Sequence, residues 1–275
     1  MDDGGSLSRF DWYQGSFPEQ ARMTAVDVLA PLGDEPPKRI AGMHAYHRGW
    51  DIRRQGTSLC RVYEGRGLTD HFVASGSDAP EIARCVRIHA TGHRVSRADV
   101  CLDFQRGGSF FDSTRDLIVE ELAGRVTLTE YVETGLREKS STLYVGSRKS
   151  ETRVRLYEKG KQDTTYAVDT VRLELQARPG KQDRKVYASQ LDPDGFWGMA
   201  RWSRWMVDAL AGLAVVAAPP RSARVSDLDR ALDAMALQYG KRILEQAQRL
   251  DGDLEALALD LIARIPQANL GGDGE

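Results

Sequence analysis

The sequence predicts an α+β fold: a mainly antiparallel central sheet with flanking helices, followed by a C-terminal helical hairpin. Three observations predict it. Short segments that alternate polar and apolar residues recur as far as Arg178, at the two-residue period of strands with one buried face. Helical segments lie among these strands. Beyond Pro219-Pro220 the pattern becomes wholly helical, so the chain divides into residues 1–218 and 219–275.

Taken in order, Phe10 to Phe17 reads as a strand, and Pro18 opens an amphipathic helix to about Leu32, proline suiting a first helical turn. Gly33 to Pro37 is a loop. Tyr46–Arg54 and Ser58–Glu64 form a hairpin around Gln55-Gly56-Thr57, and His71–Ser75 is a short strand. Asp78 caps a helix over Ala79–Thr91, with Pro80 just inside it. Strands follow at Val95–Phe104, Val126–Glu133, Thr142–Gly146, Arg153–Lys159 and Thr170–Arg178, with a helix at Ser113–Ala123. Helices are predicted at Asp183–Gln190 and Trp197–Val216. In the tail, Leu228, Leu232, Met235, Tyr239, Ile243 and Leu244 recur at helical spacing, giving a hairpin from Ser226 to about Ile265 that turns at Asp251-Gly252-Asp253. No internal repeat is evident at the sequence level.

No apolar run approaches the roughly 20 residues that a membrane crossing needs; the longest, Met206 to Ala218, is broken by Asp208. The acidic, polar start Met1-Asp2-Asp3-Gly4-Gly5 lacks a signal-peptide pattern, which predicts a cytoplasmic protein. Cys60, Cys85 and Cys101 show no CxxC spacing, so they read as buried thiols and not as a disulfide framework or a zinc site. A net charge of −2 argues against a protein that coats nucleic acid but leaves room for a local basic groove.

That groove has a place in the sequence. From Arg137 to Lys161 eight cations face three anions, a local net charge of +5. Alternation on the strand that ends this segment puts Arg153, Arg155, Tyr157 and Lys159 on one face. Cations on both sides favour the phenolate of Tyr157 and would hold a phosphodiester beside it; the same pattern also fits an amphipathic edge strand with tyrosine packed under basic stems. Immediately upstream, Gly146-Ser147-Arg148-Lys149-Ser150 makes a turn that offers backbone N–H groups, hydroxyls and charge to a phosphate, without the spacing of a Walker loop. On the strand Arg97–Phe104, Arg97, Asp99, Cys101 and Asp103 share a face, and on Val171–Arg178 so do Arg172, Glu174 and Gln176. Asp99, Asp103 and Glu174 together would suit Mg²⁺ or Mn²⁺; taken singly, each fits a salt-bridged strand acid.

The three stretches RADVCLDF, TLYVGSRKSETRVRLYEKG and VRLELQAR, in this order, resemble the Rep_trans family of rolling-circle replication initiators. The resemblance is specific from Arg97 to Arg178. It implies a Rep/relaxase-like sheet and a protein that nicks one strand at an origin, forms a 5′-phosphotyrosine link and leaves a free 3′-OH. It places Tyr157 at the nucleophile, with Arg155 and Lys159 beside it, and Asp99, Asp103 and Glu174 at a divalent-metal site. Arg97, Ser147, Arg148, Lys149, Ser150, Arg153 and Arg172 are then the DNA-binding set, with Tyr144 or Tyr166 as substitute nucleophiles and His89 or His93 as substitute ligands. The implied partners are single-stranded or hairpin origin DNA and a host helicase or replisome component, with a homodimer as a further expectation and no membrane. The competing readings are a non-catalytic DNA-binding replication protein and a metal-dependent hydrolytic nuclease.

Overall fold

The computed structural model describes residues 7–106, 109–134, 139–219 and 227–264; Arg137, Glu138, Ser226 and Ile265 lie outside them. The chain divides into two compact units, Met1–Pro219 and Pro220–Glu275. The first is built on one antiparallel sheet of ten strands flanked by helices.

The strands come in two successive sets. The first runs β1 (Arg9–Ser16), helix α1 (Ala25–Leu29), β2 (Lys38–Ala41), β3 (Arg48–Arg54), β4 (Thr57–Glu64), β5 (His71–Ser75) and α2 (Ala79–His89). The second runs β6 (Arg94–Gln105), α3 (Phe110–Leu122), β7 (Leu128–Thr134), β8 (Lys139–Val145), β9 (Thr152–Tyr157), the one-turn α4 (Lys159–Gln162), β10 (Thr170–Ala177) and α5 (Gln182–Gln190). In the sheet they lie in the order β2-β3-β4-β5-β1-β6-β10-β9-β8-β7. Read outward from the centre, 6-10-9-8-7 repeats 1-5-4-3-2, and in each half a helix follows the first strand and another the last.

The residues repeat as well. Ser8-Arg9-Phe10-Asp11 at the start of β1 answers Ser96-Arg97-Ala98-Asp99 on β6, and Arg61-Val62-Tyr63-Glu64 on β4 answers Arg155-Leu156-Tyr157-Glu158 at the end of β9. The register agrees: Arg61 pairs with Val73 and Tyr63 with His71, as Arg155 pairs with Glu174 and Tyr157 with Arg172. The unit thus repeats one β-α-β-β-β-β-α arrangement around the β1–β6 pair, with α4 added between β9 and β10 in the second set, against the expectation of no internal repeat. The repeat escapes a sequence scan because it survives at only a few positions. Insertions between matched segments also change their offset.

Strand alternation sorts the two faces of the sheet. Ala98, Val100, Leu102 and Phe104 of β6, with Val154 and Leu156 of β9 and Leu173 and Leu175 of β10, are buried in the apolar core. Helix α2 packs on β1, α5 on β6 and α3 on β9. Each fully buried aliphatic side chain contributes about 1.5–3 kcal/mol, which makes this layer the scaffold on which the opposite face is held.

Several predicted elements change. Residues between Phe17 and Thr24 form no helix; α1 begins only at Ala25, where Thr24 and Asp27 make a reciprocal capping box. Strand β2, unexpected from its polar, charged sequence, pairs along β3. Asp78 does not cap α2 through its side chain; its carboxylate takes Arg54 at 3.1 Å instead. The long helix expected from Trp197 to Val216 is a 3-10 stretch (Asp194–Met199) and then α6 (Arg201–Ala211), which stops at Gly212 in the left-handed region (φ 66°). In the second unit, α7 (Asp227–Arg249) and α8 (Leu254–Ala263) form the hairpin, with the Asp253 carboxylate accepting the N–H groups of Glu255 and Ala256. No helix among the described residues is long and apolar enough to cross a membrane.

Candidate nucleic-acid interface and tyrosine site

The face of the sheet opposite the β6, β9 and β10 core residues carries a lattice of arginines and carboxylates. Its rows follow from register: Asp103 opposes Arg172, Cys101 opposes Glu174 and Asp99 opposes Gln176 across β6–β10. Across β10–β9, Arg172 opposes Tyr157, Glu174 opposes Arg155 and Gln176 opposes Arg153. Residues paired in an antiparallel ladder point to the same side, so alternation on three strands delivers all of these groups to one surface.

Each carboxylate has its own arginine. Asp99 is gripped by Arg97 at 3.0 and 2.5 Å, with the Gln176 amide at 3.4 Å. Asp103 accepts Arg172 at 2.6 and 3.0 Å and Arg9 at 2.5 Å. Arg172, buried at 1 % exposure, also reaches Asp11 at 3.1 Å. Glu174, equally buried, accepts Arg155 at 2.9 and 2.8 Å. It accepts the Tyr157 hydroxyl at 3.0 Å.

These pairings set the proton affinities. Burial pushes the Tyr157 phenol up, and Glu174 adds to this, outweighing Arg155 and Arg172. The cations still pull toward phenolate, but burial first and Glu174 second outweigh them, so the net shift runs against the sequence expectation. Burial also raises the Glu174 carboxyl above its ordinary value against the downward pull of Arg155. Asp103 is held below its ordinary value: burial works against this, but the hydrogen bonds from Arg172 and Arg9 prevail.

The three acids do not form the predicted metal shell. Asp99 and Asp103 are four residues apart on one strand, about 13 Å along it, whereas a divalent ion holds its oxygens at about 2.0–2.6 Å. Among the described residues no group of three or more His, Cys, Asp or Glu is arranged to hold an ion. His93 is committed elsewhere, buried between the Tyr13 hydroxyl at 2.6 Å and the Ala90 carbonyl at 3.0 Å, and lowered to about 4 by burial. His89 is exposed at the end of α2. Cys101 sits between the two aspartates, fully buried, its thiol pushed up to about 12 by burial.

Lys159 leaves the predicted strand. The β9 ladder ends at Tyr157, and Lys159 starts α4, where it binds Asp163 at 2.9 Å and lies 4.9 Å from the centre of the Tyr166 ring. The guanidinium of Arg172 lies 5.0 Å from that same ring, so Tyr166 covers the Arg172 end of the lattice. Tyr157 itself is only 3 % exposed.

The turn Gly146–Ser150 joins β8 to β9 with Gly146 at φ 99°, and Ser147, Arg148 and Lys149 exposed. Its hydroxyls are used internally: Ser150 Oγ donates to the Ser147 carbonyl at 2.8 Å and Ser147 Oγ accepts from Lys149 N at 3.3 Å. Beside the tyrosine site a cavity of about 130 Å³ is lined by Arg97, Tyr144, Arg153, Arg155, Glu174 and Gln176. Sequence reasoning missed Arg9, Asp11 and Trp12, which enter this face from β1; the Ser-Arg-x-Asp repeat was the available signal.

No family model matches the chain, and no curated protein matches it. Among solved structures it is similar to a rolling circle replication initiator protein from Geobacillus stearothermophilus, at 18% identity and a TM-score of 0.49, over 75% of this chain and 97% of that one. A likeness this distant carries neither a family nor a function to this chain.

Proposed function

We propose that this protein initiates rolling-circle replication by nicking single-stranded or hairpin DNA, with Tyr157 as nucleophile and Glu174 as its base. The observation that carries the reading is the contact of the Tyr157 hydroxyl with Glu174 at 3.0 Å, in a carboxylate that Arg155 holds by two bonds. The duplicated fold supplies its own comparison. Tyr63 occupies the matching position of the first half, but Val73 stands where the second half has Glu174. The fold therefore accommodates a tyrosine here without a carboxylate, and packing alone does not call for Glu174.

In the reaction, Glu174 takes the phenolic proton and the Tyr157 oxygen forms a bond to phosphorus. The bond from phosphorus to the 3′ oxygen breaks, and that oxygen takes up a proton to become the free 3′-OH. Arg155, with Arg97 across the cavity, offsets charge gathering on the phosphoryl oxygens. Glu174 is well suited to the proton transfer because burial raises its affinity for a proton. The depth of Tyr157 implies that the Tyr166 segment, residues 158–169, shifts when DNA seats.

The test uses 3′-labelled single-stranded oligonucleotides that tile the DNA flanking the protein's own gene. Label retained on the protein in a denaturing gel, and lost in Tyr157→Phe, supports the reading. Cleavage with no attached label favours a hydrolytic nuclease, and binding without cleavage a non-catalytic replication protein. The same reaction in chelator reads the Mg²⁺ or Mn²⁺ expectation: loss of adduct keeps an ion in the reaction, and undiminished adduct removes it.

A further inference from the structure

Beside the tyrosine site lies a cluster that neither the nucleophile nor its base uses. Tyr144 on β8 lies under the guanidinium of Arg153, 3.8 Å from ring centre to Cζ. Tyr131 on β7 meets Tyr144 edge to face at 5.6 Å, and Arg148 from the turn donates to the Tyr131 hydroxyl at 3.3 Å. Tyr131 is 40 % exposed, and Tyr144 and Arg153 line the cavity that reaches Glu174.

Arg153 differs from the other arginines of this face. Arg9, Arg97, Arg155 and Arg172 each hold a carboxylate, whereas Arg153 has no carboxylate partner among the described residues, and its Nε is buried without a hydrogen bond. A cation placed over an aromatic ring with its N–H groups unspent is matched to an incoming anion. The duplication again provides a control. By register, Asp51 and Ile40 of the first half stand where the second has Tyr144 and Tyr131. The module folds without this cluster.

We propose that Tyr144, Tyr131 and Arg153 form a subsite for single-stranded DNA, in which unpaired bases stack on the two tyrosines and a backbone phosphate binds Arg153. Stacking needs an unpaired base with its face free, so the subsite selects single strands over duplex. It rests on the nickase reading for its occupant and deepens it: the strand would run over β7–β9 with one phosphate near Arg155 and Glu174.

Fluorescence anisotropy of the full chain carrying Tyr157→Phe, so that no adduct can form through that hydroxyl, with a labelled 12-nucleotide oligo-dT reads binding without cleavage. Tyr144→Ala and Tyr131→Ala are expected to weaken it about tenfold or more each, with little change for a blunt duplex, on the usual worth of stacking one base. Tyr144→Phe keeps the ring and is expected to bind as the parent does, and Arg153→Met is expected to weaken binding and lessen its salt dependence. Parent-like oligo-dT binding by a folded Tyr131→Ala/Tyr144→Ala double variant overturns the proposal. Photocrosslinking of the unmodified protein to 5-bromodeoxyuridine oligonucleotides guards against misfolded variants: crosslinks at Tyr131 or Tyr144 support the subsite, and crosslinks confined to other residues overturn it. Stacking-dependent binding with no covalent adduct would sink the nickase reading alone; an adduct whose formation ignores Tyr131 and Tyr144 would sink this one alone.

Discussion

Replacing Glu174 with Gln keeps the shape of the side chain and removes its charge, so it separates chemistry from packing. With the carboxyl raised above its ordinary value of 4.5 and needed in its ionised form, adduct formation should rise with pH along a limb above that value. Glu174→Gln is expected to abolish the limb and lower the adduct rate by about 10²–10⁴-fold, the usual contribution of a positioned base; an unchanged pH profile would contradict the assignment. Asp103 carries the opposite sign. Its carboxyl is depressed by Arg172 and Arg9, so it contributes stability present above its ordinary value of 3.8 and lost as pH falls through the lower folded value. Asp103→Asn leaves the buried Arg172 with Asp11 as its carboxylate partner, at a cost of about 1.5–3 kcal/mol at pH 7, measurable by urea unfolding. At this scale the sequence showed which side chains share a face but not which partner each would take. Asp99, Asp103 and Glu174 could be put on one surface by counting in twos, yet the strand spacing that keeps Asp99 from Asp103, and the arginine that claims each acid, emerge only with the register.

Among the elements, the strands carrying the site were legible to within a residue or two, because β6, β9 and β10 alternate cleanly between charged and aliphatic positions. Strand β2 was not, since Lys38 and Arg39 sit on an exposed edge with little apolar signal. Lys159 was misplaced because alternation alone cannot show where a ladder ends and a turn of helix begins. The β8–β9 turn depends on Gly146, where φ is 99° and an added Cβ would stand 3.0 Å from the Thr152 carbonyl oxygen. Gly146→Ala is expected to cost about 1–3 kcal/mol in thermal or chemical unfolding; full stability would contradict this geometry. If residues 158–169 move to admit DNA, their amide hydrogen exchange should change when single-stranded DNA binds. Unchanged exchange there would mean that the phosphate reaches Tyr157 by another path.

Across the whole molecule, the sheet class was readable and the duplication was not. Strand patterns alternate alike in unrelated sheets, so only the Ser-Arg-x-Asp and Arg-x-Tyr-Glu matches mark the repeat, and they gain meaning once the strand order pairs them. The two halves differ in what they place on this face: the first supplies Arg9 and Asp11 to the central pair, and the second holds Tyr157 hydrogen-bonded to Glu174. Since arginines already neutralise Asp99, Asp103 and Glu174, the fold needs no cation to relieve repulsion among them. Chelator is expected to leave the unfolding temperature of the free protein unchanged, and a large drop would reveal an ion held by the fold. The measurement closest to the central claim is mass spectrometry of the protein–DNA adduct formed with the tiled oligonucleotides. A 5′-phosphonucleotide on the peptide containing Tyr157, with a 3′-OH on the released fragment that a polymerase extends, is the predicted result. Attachment at Tyr144 or Tyr166, or adduct undiminished in Tyr157→Phe, would contradict it.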